Sequence, residues 1–140
     1  GKDVSSEIRK PEISMLASTV SAHKCVRLKM VEMQRKIAAS MDCVLDGREI
    51  GSFVLPNAEY KFFVTAKPEV RAERRYKELI ARGNDVNYEE LLKEIKQRDY
   101  NDSHREFAPL VQTADAVYID TSDMTIDEVV AKVICVVKGE

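Results

Sequence analysis

The chain has 140 residues, 44% of them apolar and 33% charged, which suits one domain with a real core and excludes a disordered tail. Its 22 Lys and Arg stand against 24 Asp and Glu, a net charge of −2, so no bulk field holds DNA, RNA or an anionic membrane. Any anion must be gripped by local arginines.

The opening stretch, Gly1 to Lys10, lacks periodicity and reads as the tail of something that began earlier. From Pro11 a helical pattern runs to Ser40, with Pro suited to a first turn and a bend or a break into two helices predicted around Ser21 to Cys25. Val26, Met30, Met33 and Ile37, at i, i+4, i+7 and i+11, predict its inward stripe. Met41 to Leu45 reads as a short strand, followed by the charged turn Asp46-Gly47-Arg48-Glu49-Ile50-Gly51. An acid, a glycine, an arginine and a second acid after a strand suit the carboxyl edge of a sheet, where α/β proteins place ligands. They equally suit a plain polar turn.

Ser52 to Tyr60, with Pro56-Asn57, is a connection. Lys61 to Thr65 is a second strand, continuous enough in apolar residues to predict burial on both faces in a parallel sheet. Pro68 opens a helix running to about Arg82 and closed by Gly83. Ala72, Tyr76, Leu79 and Ile80 make its apolar side, and Arg71, Arg74 and Arg75 cluster on another. Asn87 with Glu90 resembles a capping box before a helix whose Leu91, Leu92 and Ile95 face inward. Ala116 to Asp120 is a third strand. Thr125 with Glu128 caps a last helix striped by Ile126, Val129, Val130, Val133 and Val137. This order of elements predicts an α/β fold with a short parallel sheet flanked by helices.

Within the polar segment Arg98 to Arg105, Arg98, Asp102 and Arg105 fall at i, i+4 and i+7 and share one helical face. Two guanidiniums around a carboxylate suit a phosphorylated sugar, the forks gripping phosphate and the acid accepting from ribose hydroxyls. A solvated face laced with intrahelical ion pairs is the competing reading. His104 reads as a surface residue with no nucleophile beside it. Cys25, Cys43 and Cys135 are odd in number and set among apolar neighbours, which predicts reduced core thiols of a cytoplasmic protein, neither metal ligands nor nucleophiles. No charged-then-apolar leader opens the chain, and no apolar run approaches a membrane span. No G-x-x-x-x-G-K-[ST] motif occurs, so the five glycines form no phosphate cradle.

Taken together, Gly1-Lys2-Asp3-Val4-Ser5-Ser6-Glu7-Ile8-Arg9, Ala17-Ser18, Val26-Arg27, Asp46 to Gly51, Arg71-Ala72-Glu73-Arg74-Arg75, Glu94 to Arg105 and Ala108-Pro109-Leu110 resemble the bacterial cytidylate kinases. The resemblance runs almost end to end and covers the later two-thirds of that family's length. It implies a partial P-loop nucleoside monophosphate kinase fold without the first, P-loop strand, whose place in the sheet would lie between the strand ending at Leu45 and the strand Lys61 to Thr65. Residues 1–40 would be the remainder of a CMP-binding insert with following helices, and 41–140 a partial core domain with a lid at about 83–106.

The activity implied is transfer of the γ-phosphate of ATP, with Mg2+, to CMP or dCMP, giving CDP or dCDP. By position, Ser18 and Arg27 match residues that hydrogen-bond cytosine, and Glu49 stands where the family usually has an aspartate reading the base. Arg48 and Arg105 match arginines on the CMP phosphate, Arg98 a lid arginine reaching the transferred phosphate, Asp102 the ribose-binding acid, and Arg74 a contact to ATP. Arg48, Arg98 and Arg105 are thus the candidates for catalysis. No nucleic acid or membrane partner is implied, and the 140 residues alone are predicted to be inactive, with self-association through an incomplete sheet one outcome. A non-catalytic nucleotide-binding or regulatory module of the same fold and a generic α/β interaction domain are the alternatives.

Overall fold

The computed structural model describes residues 3–5, 7–9, 11–21 and 23–139; Gly1-Lys2 and Ser6 of the first landmark lie outside them. The chain divides into two units, Gly1–Leu45 and Asp46–Glu140. The first holds a 3-10 turn at Glu7–Arg9, helix α1 at Pro11–Ser21 and helix α2 at Lys24–Ser40. The break predicted after Ser21 is present: His23 is extended at φ −68° and ψ 125° and caps α2.

The inward face of α2 is not the predicted one. Val31 is buried, with Arg27, Gln34 and Ala38 half-buried on the same side, while Met30, Met33 and Ile37 are exposed. Val26 of the predicted stripe is half-buried too, but successive residues are turned by about 100°, so a mixed stripe one residue on, carrying Arg27 and Gln34, competes with the apolar one. The stripe with the smaller Val31 and Ala38, which permits closer approach, turns inward.

The predicted strand Met41–Leu45 does not form. The segment is irregular, and Val44 is 99% exposed. An apolar run becomes a strand when a sheet edge receives its backbone groups, and among the described residues the sheet has two strands, not three. They are β1, Phe62–Thr65, and β2, Val117–Asp120, parallel, with Phe62 opposite Val117 and Thr65 opposite Asp120. Ile119 is buried on β2, but Val64 on β1 is exposed, so β1 is not covered on both faces. Two strands leave each one an edge, which uncovers side chains that a central strand would bury.

The second unit continues with a π-helical turn at Ile50–Val54, helix α3 at Pro68–Ala81, helix α4 at Tyr88–His104 and helix α5 at Ile126–Lys138. Proline opens α3, and Gly83 ends it at φ +77°, a left-handed angle that favours glycine. Ala72 and Leu79 are buried and Tyr76 is half-buried, whereas Ile80 is exposed, off the predicted apolar side. Ile80 lies one residue past Leu79 and is turned from the face that meets α4. Asn87 caps α4 by accepting from the N–H groups of Glu89 and Glu90. Leu91, Leu92 and Ile95 are half-buried where α4 packs on α3, and Tyr76 meets Tyr88 edge-on at 6.0 Å.

One side-chain fork ties this layer together. Arg71 donates from Nε to the Ala66 carbonyl at 2.9 Å, from Nη1 to Asp99 Oδ1 at 2.9 Å and from Nη2 to Asp99 Oδ2 at 2.5 Å. The bond to Asp99 holds the guanidinium more firmly protonated than usual. On α5 both halves of the Thr125–Glu128 capping box are made. Val129, Val133 and Val136 turn inward, so Ile126, Val130 and Val137 of the predicted stripe stay exposed. Nearly every turn of α5 is apolar, so its periodicity offers more than one candidate inward face. The cysteines form no disulfide and are exposed, not core residues; Cys25 and Cys135 fall outside the inward faces of their helices, and Cys43 lies in the irregular segment. Among the described residues no helix is long and apolar enough to cross a membrane.

Replacing Asp99 by Asn removes a bidentate, charge-assisted contact that is about two-thirds shielded from water. The expected loss is about 1–2 kcal/mol of unfolding free energy, measured by urea denaturation.

Candidate functional site

Two chain segments converge in the second unit. The first is the turn Asp46 to Glu49, followed by the π-helical turn, in which the Glu49 carbonyl accepts from the N–H groups of Phe53 and Val54. The second is the C-terminal turn of α4 and the loop after it, folded back so that the Leu110 N–H donates to the Asp102 carbonyl at 2.8 Å. Phe53 and Phe107 join them, edge to face at 5.0 Å. In that loop Ala108 takes φ +50°, an uncommon angle for alanine, and its carbonyl accepts from Arg105 Nε at 2.6 Å. The strained residue therefore sits where it fixes the plane of a guanidinium.

Asp102 is the centre. Arg48 Nε lies 3.1 Å and Arg98 Nε 3.8 Å from its Oδ2, and Arg105 Nη1 lies 3.7 Å from its Oδ1. Arg105 Nη2 donates to Glu49 Oε2 at 2.8 Å. These are ion-pair distances, but Asp102 Oδ2 is buried and receives no hydrogen bond of proper geometry. Both observations hold together: Arg48 supplies charge at 3.1 Å without aiming an N–H along a lone pair. The acid is thus neutralised electrostatically and retains acceptor capacity. Arg98 is more than half exposed and Arg48 nearly so, while Asp102, Arg105 and Glu49 are largely covered. Two mobile forks over a fixed carboxylate and a fixed guanidinium can grip a small anion that carries hydroxyl donors.

The structure thus brings Arg48, Glu49, Arg98, Asp102 and Arg105 together. It does not bring Arg74 to them. That side chain donates to the Thr121 carbonyl at 2.6 Å and to Thr121 Oγ1 at 3.2 Å, securing the loop that leaves β2. Arg27 and Ser18 belong to the first unit, Arg27 half-buried on α2 and Ser18 on α1, its side chain outside the described part of the structure. Sequence reasoning missed the Arg71–Asp99 fork, the Ala108 carbonyl and the Phe53–Phe107 contact. The fork partners stand 28 residues apart with no local pattern to link them. The alanine before Pro109 was the one visible sign of an unusual turn. No group of three or more His, Cys, Asp or Glu among the described residues could hold a metal ion.

The parallel α/β unit places an arginine-rimmed carboxylate at the end of a helix. Comparison with known proteins gives the family. The family described as cytidylate kinase matches residues 1–139, and the chain belongs to it. It is 52% identical to the cytidylate kinase of Caldicellulosiruptor bescii over 96% of this chain and 59% of that protein. It is 49% identical to that of Fervidobacterium nodosum over 99% of this chain and 63% of that protein. The cytidylate kinase of Clostridium botulinum is 49% identical over 100% of this chain and 64% of its own length. The chain therefore spans about three-fifths of the length of these curated relatives. Family membership carries the P-loop nucleoside monophosphate kinase fold, of which the short parallel sheet flanked by helices is part.

Gly47 lets the turn close on itself: a Cβ there would lie 2.9 Å from Ile50 Cγ1 and 3.1 Å from Cδ1. In Gly47→Ala, Ile50 must move and disturb the turn that holds Arg48 and Glu49. The expected cost is about 1 kcal/mol, read as a lowered urea midpoint.

Proposed function

We propose that the chain carries the acceptor-nucleotide site of a cytidylate kinase, in which CMP or dCMP takes the γ-phosphate of ATP to give CDP or dCDP. The observation that carries this reading is Asp102, buried among three guanidiniums with an oxygen still able to accept. A ribose hydroxyl is the donor that such an oxygen suits, and a phosphate on the same molecule reaches the arginines beside it. In this reading Arg48 and Arg105 hold the acceptor phosphate. Arg98, on the exposed side of α4, reaches the phosphoryl group in flight, and residues of about 83–106 act as the lid. By position in the family, Ser18, Arg27 and Glu49 are the residues assigned to cytosine, and residues 1–40 are assigned to the CMP-binding insert.

Phosphoryl transfer of this kind needs little covalent help from the protein. Its demands are alignment of the two nucleotides and stabilisation of charge spreading over the equatorial oxygens, and fixed guanidiniums supply both. The described residues offer no donor set for magnesium, which would enter as the ATP complex. Arg74, assigned to ATP, contributes by holding the Thr121 loop in place beside the nucleotide. The 140 residues contain no glycine-rich phosphate cradle with its lysine, so the chain by itself binds an acceptor but transfers phosphate negligibly.

Calorimetric titration with CMP, dCMP, UMP and AMP tests the reading. CMP binding at least several-fold tighter than AMP is expected, and Asp102→Asn should weaken CMP by roughly tenfold, the value of a hydrogen bond to a charged group. Equal affinity for all four nucleotides, or none, refutes it. A purified sample free of other kinases should give no CDP from CMP and ATP.

A further inference from the structure

The position of the Glu49 carboxylate carries an inference beyond the base contact assigned to it. Arg105 Nη2 donates to Glu49 Oε2 at 2.8 Å, with 19% and 14% of the two side chains exposed. The other edges of that guanidinium are also engaged, Nε by the Ala108 carbonyl at 2.6 Å and Nη1 facing Asp102 Oδ1 at 3.7 Å. A phosphate that grips Arg105 beside this pair meets the Glu49 carboxylate at Nη2, and the two anions compete for one guanidinium. We propose that Glu49 is a displaceable counter-ion of Arg105, so that phosphate binds by exchange with this carboxylate. The inference rests on the acceptor-phosphate reading of Arg105.

Charge counting supports the exchange. Arg48, Arg98 and Arg105 face Glu49 and Asp102, an excess of one positive charge in the cluster. A phosphomonoester near neutral pH brings close to two negative charges. Added beside both carboxylates, it leaves the cluster negative and sets like charges against each other in a partly shielded space. Exchanged for Glu49, it leaves three guanidiniums, Asp102 and the phosphate balanced. Asp102 is the worse leaving group, because three guanidiniums surround it and its own backbone carbonyl is tied to Leu110. Glu49 sits on the turn after Asp46 and pairs with Arg105 through Oε2. Once released, the carboxylate is free to serve the base, so one side chain links occupation of the phosphate subsite to recognition of the ring.

The test is titration with inorganic phosphate, which has no base and so does not depend on cytosine selectivity. Glu49→Gln should bind phosphate roughly five- to twentyfold tighter than the unaltered chain, the range for an ion pair between surface and interior. Glu49→Asp keeps the charge but shortens the reach by one methylene, and it should also tighten phosphate several-fold. Asp46→Asn removes an exposed charge three residues away and should change phosphate affinity less than twofold. Tightening in both Glu49 variants with Asp46→Asn unchanged establishes the exchange, whether or not CMP is preferred over AMP. Unchanged or weaker phosphate binding in Glu49→Gln overturns it. So does an equal gain in Asp46→Asn, which would make the effect one of bulk charge. Should Glu49→Gln fail to fold, Glu49→Asp decides by the same comparison.

Discussion

The bidentate contact of Arg71 with Asp99 sets the geometry on which the site depends. Arg71 on α3 also holds the Ala66 carbonyl at the end of β1, so one guanidinium joins strand, helix and helix. Apolar packing of Leu91, Leu92 and Ile95 brings α4 against α3 but leaves its rotation loosely defined, because hydrophobic contact is non-directional. A planar fork meeting a carboxylate in two parallel bonds fixes rotation and register together. Asp99 and Asp102 are three residues apart and so lie on neighbouring parts of one helical face. Fixing the first aims the second towards the turn at Asp46 to Glu49.

The second constraint is the closure of that turn onto the end of α4. Phe53 against Phe107 excludes water beside Arg105 and Glu49, and removing water strengthens their ion pair relative to an exposed one. The unusual backbone at Ala108 belongs to the same device. A left-handed alanine costs energy wherever it occurs, and here its carbonyl takes the Arg105 Nε bond, while the loop behind it returns to Asp102 through Leu110. Strain is thus stored where one guanidinium must have one orientation. Arg48 and Arg98 have no such bracing and remain open to solvent. The cluster divides into a covered half, Asp102, Arg105 and Glu49, and an exposed half, Arg48 and Arg98.

Much of this was legible in the sequence where the cause is local. Proline at the start of α3, Gly83 at its end and the Thr125–Glu128 box each act within a few residues and are found as read, and Asn87 makes its own half of the box read with Glu90. The i, i+4, i+7 spacing of Arg98, Asp102 and Arg105 likewise placed three side chains on one face. What failed depends on neighbours that the pattern does not encode. Met41 to Leu45 has the composition of a strand, but composition supplies no partner. The Ile126 side of α5 is as apolar as the face that turns inward, and the methionine stripe of α2 is more apolar than the inward one with Arg27 and Gln34, so periodicity alone misled there. Arg74 shows the same limit within the site. Its place in an arginine cluster was visible, but the Thr121 carbonyl that claims it comes from a loop 47 residues later.

A chain with net charge −2 that holds an anion must do so through local arrangement, and the cluster around Asp102 shows how. Three guanidiniums gathered without carboxylates would repel one another and would attract any anion in the cell. Asp102 and Glu49 remove most of that repulsion, which makes the arginines stable as neighbours and leaves only a small excess of charge. Selectivity then follows from shape. A simple anion can satisfy the forks, but only a ligand presenting a hydroxyl donor can also satisfy the buried Oδ2 of Asp102, and an unmet acceptor at that depth is costly. The carboxylates therefore do two jobs with opposite signs. Both weaken the cluster's pull on anions in general, and under the proposed reading Asp102 adds an acceptor for a ribose hydroxyl.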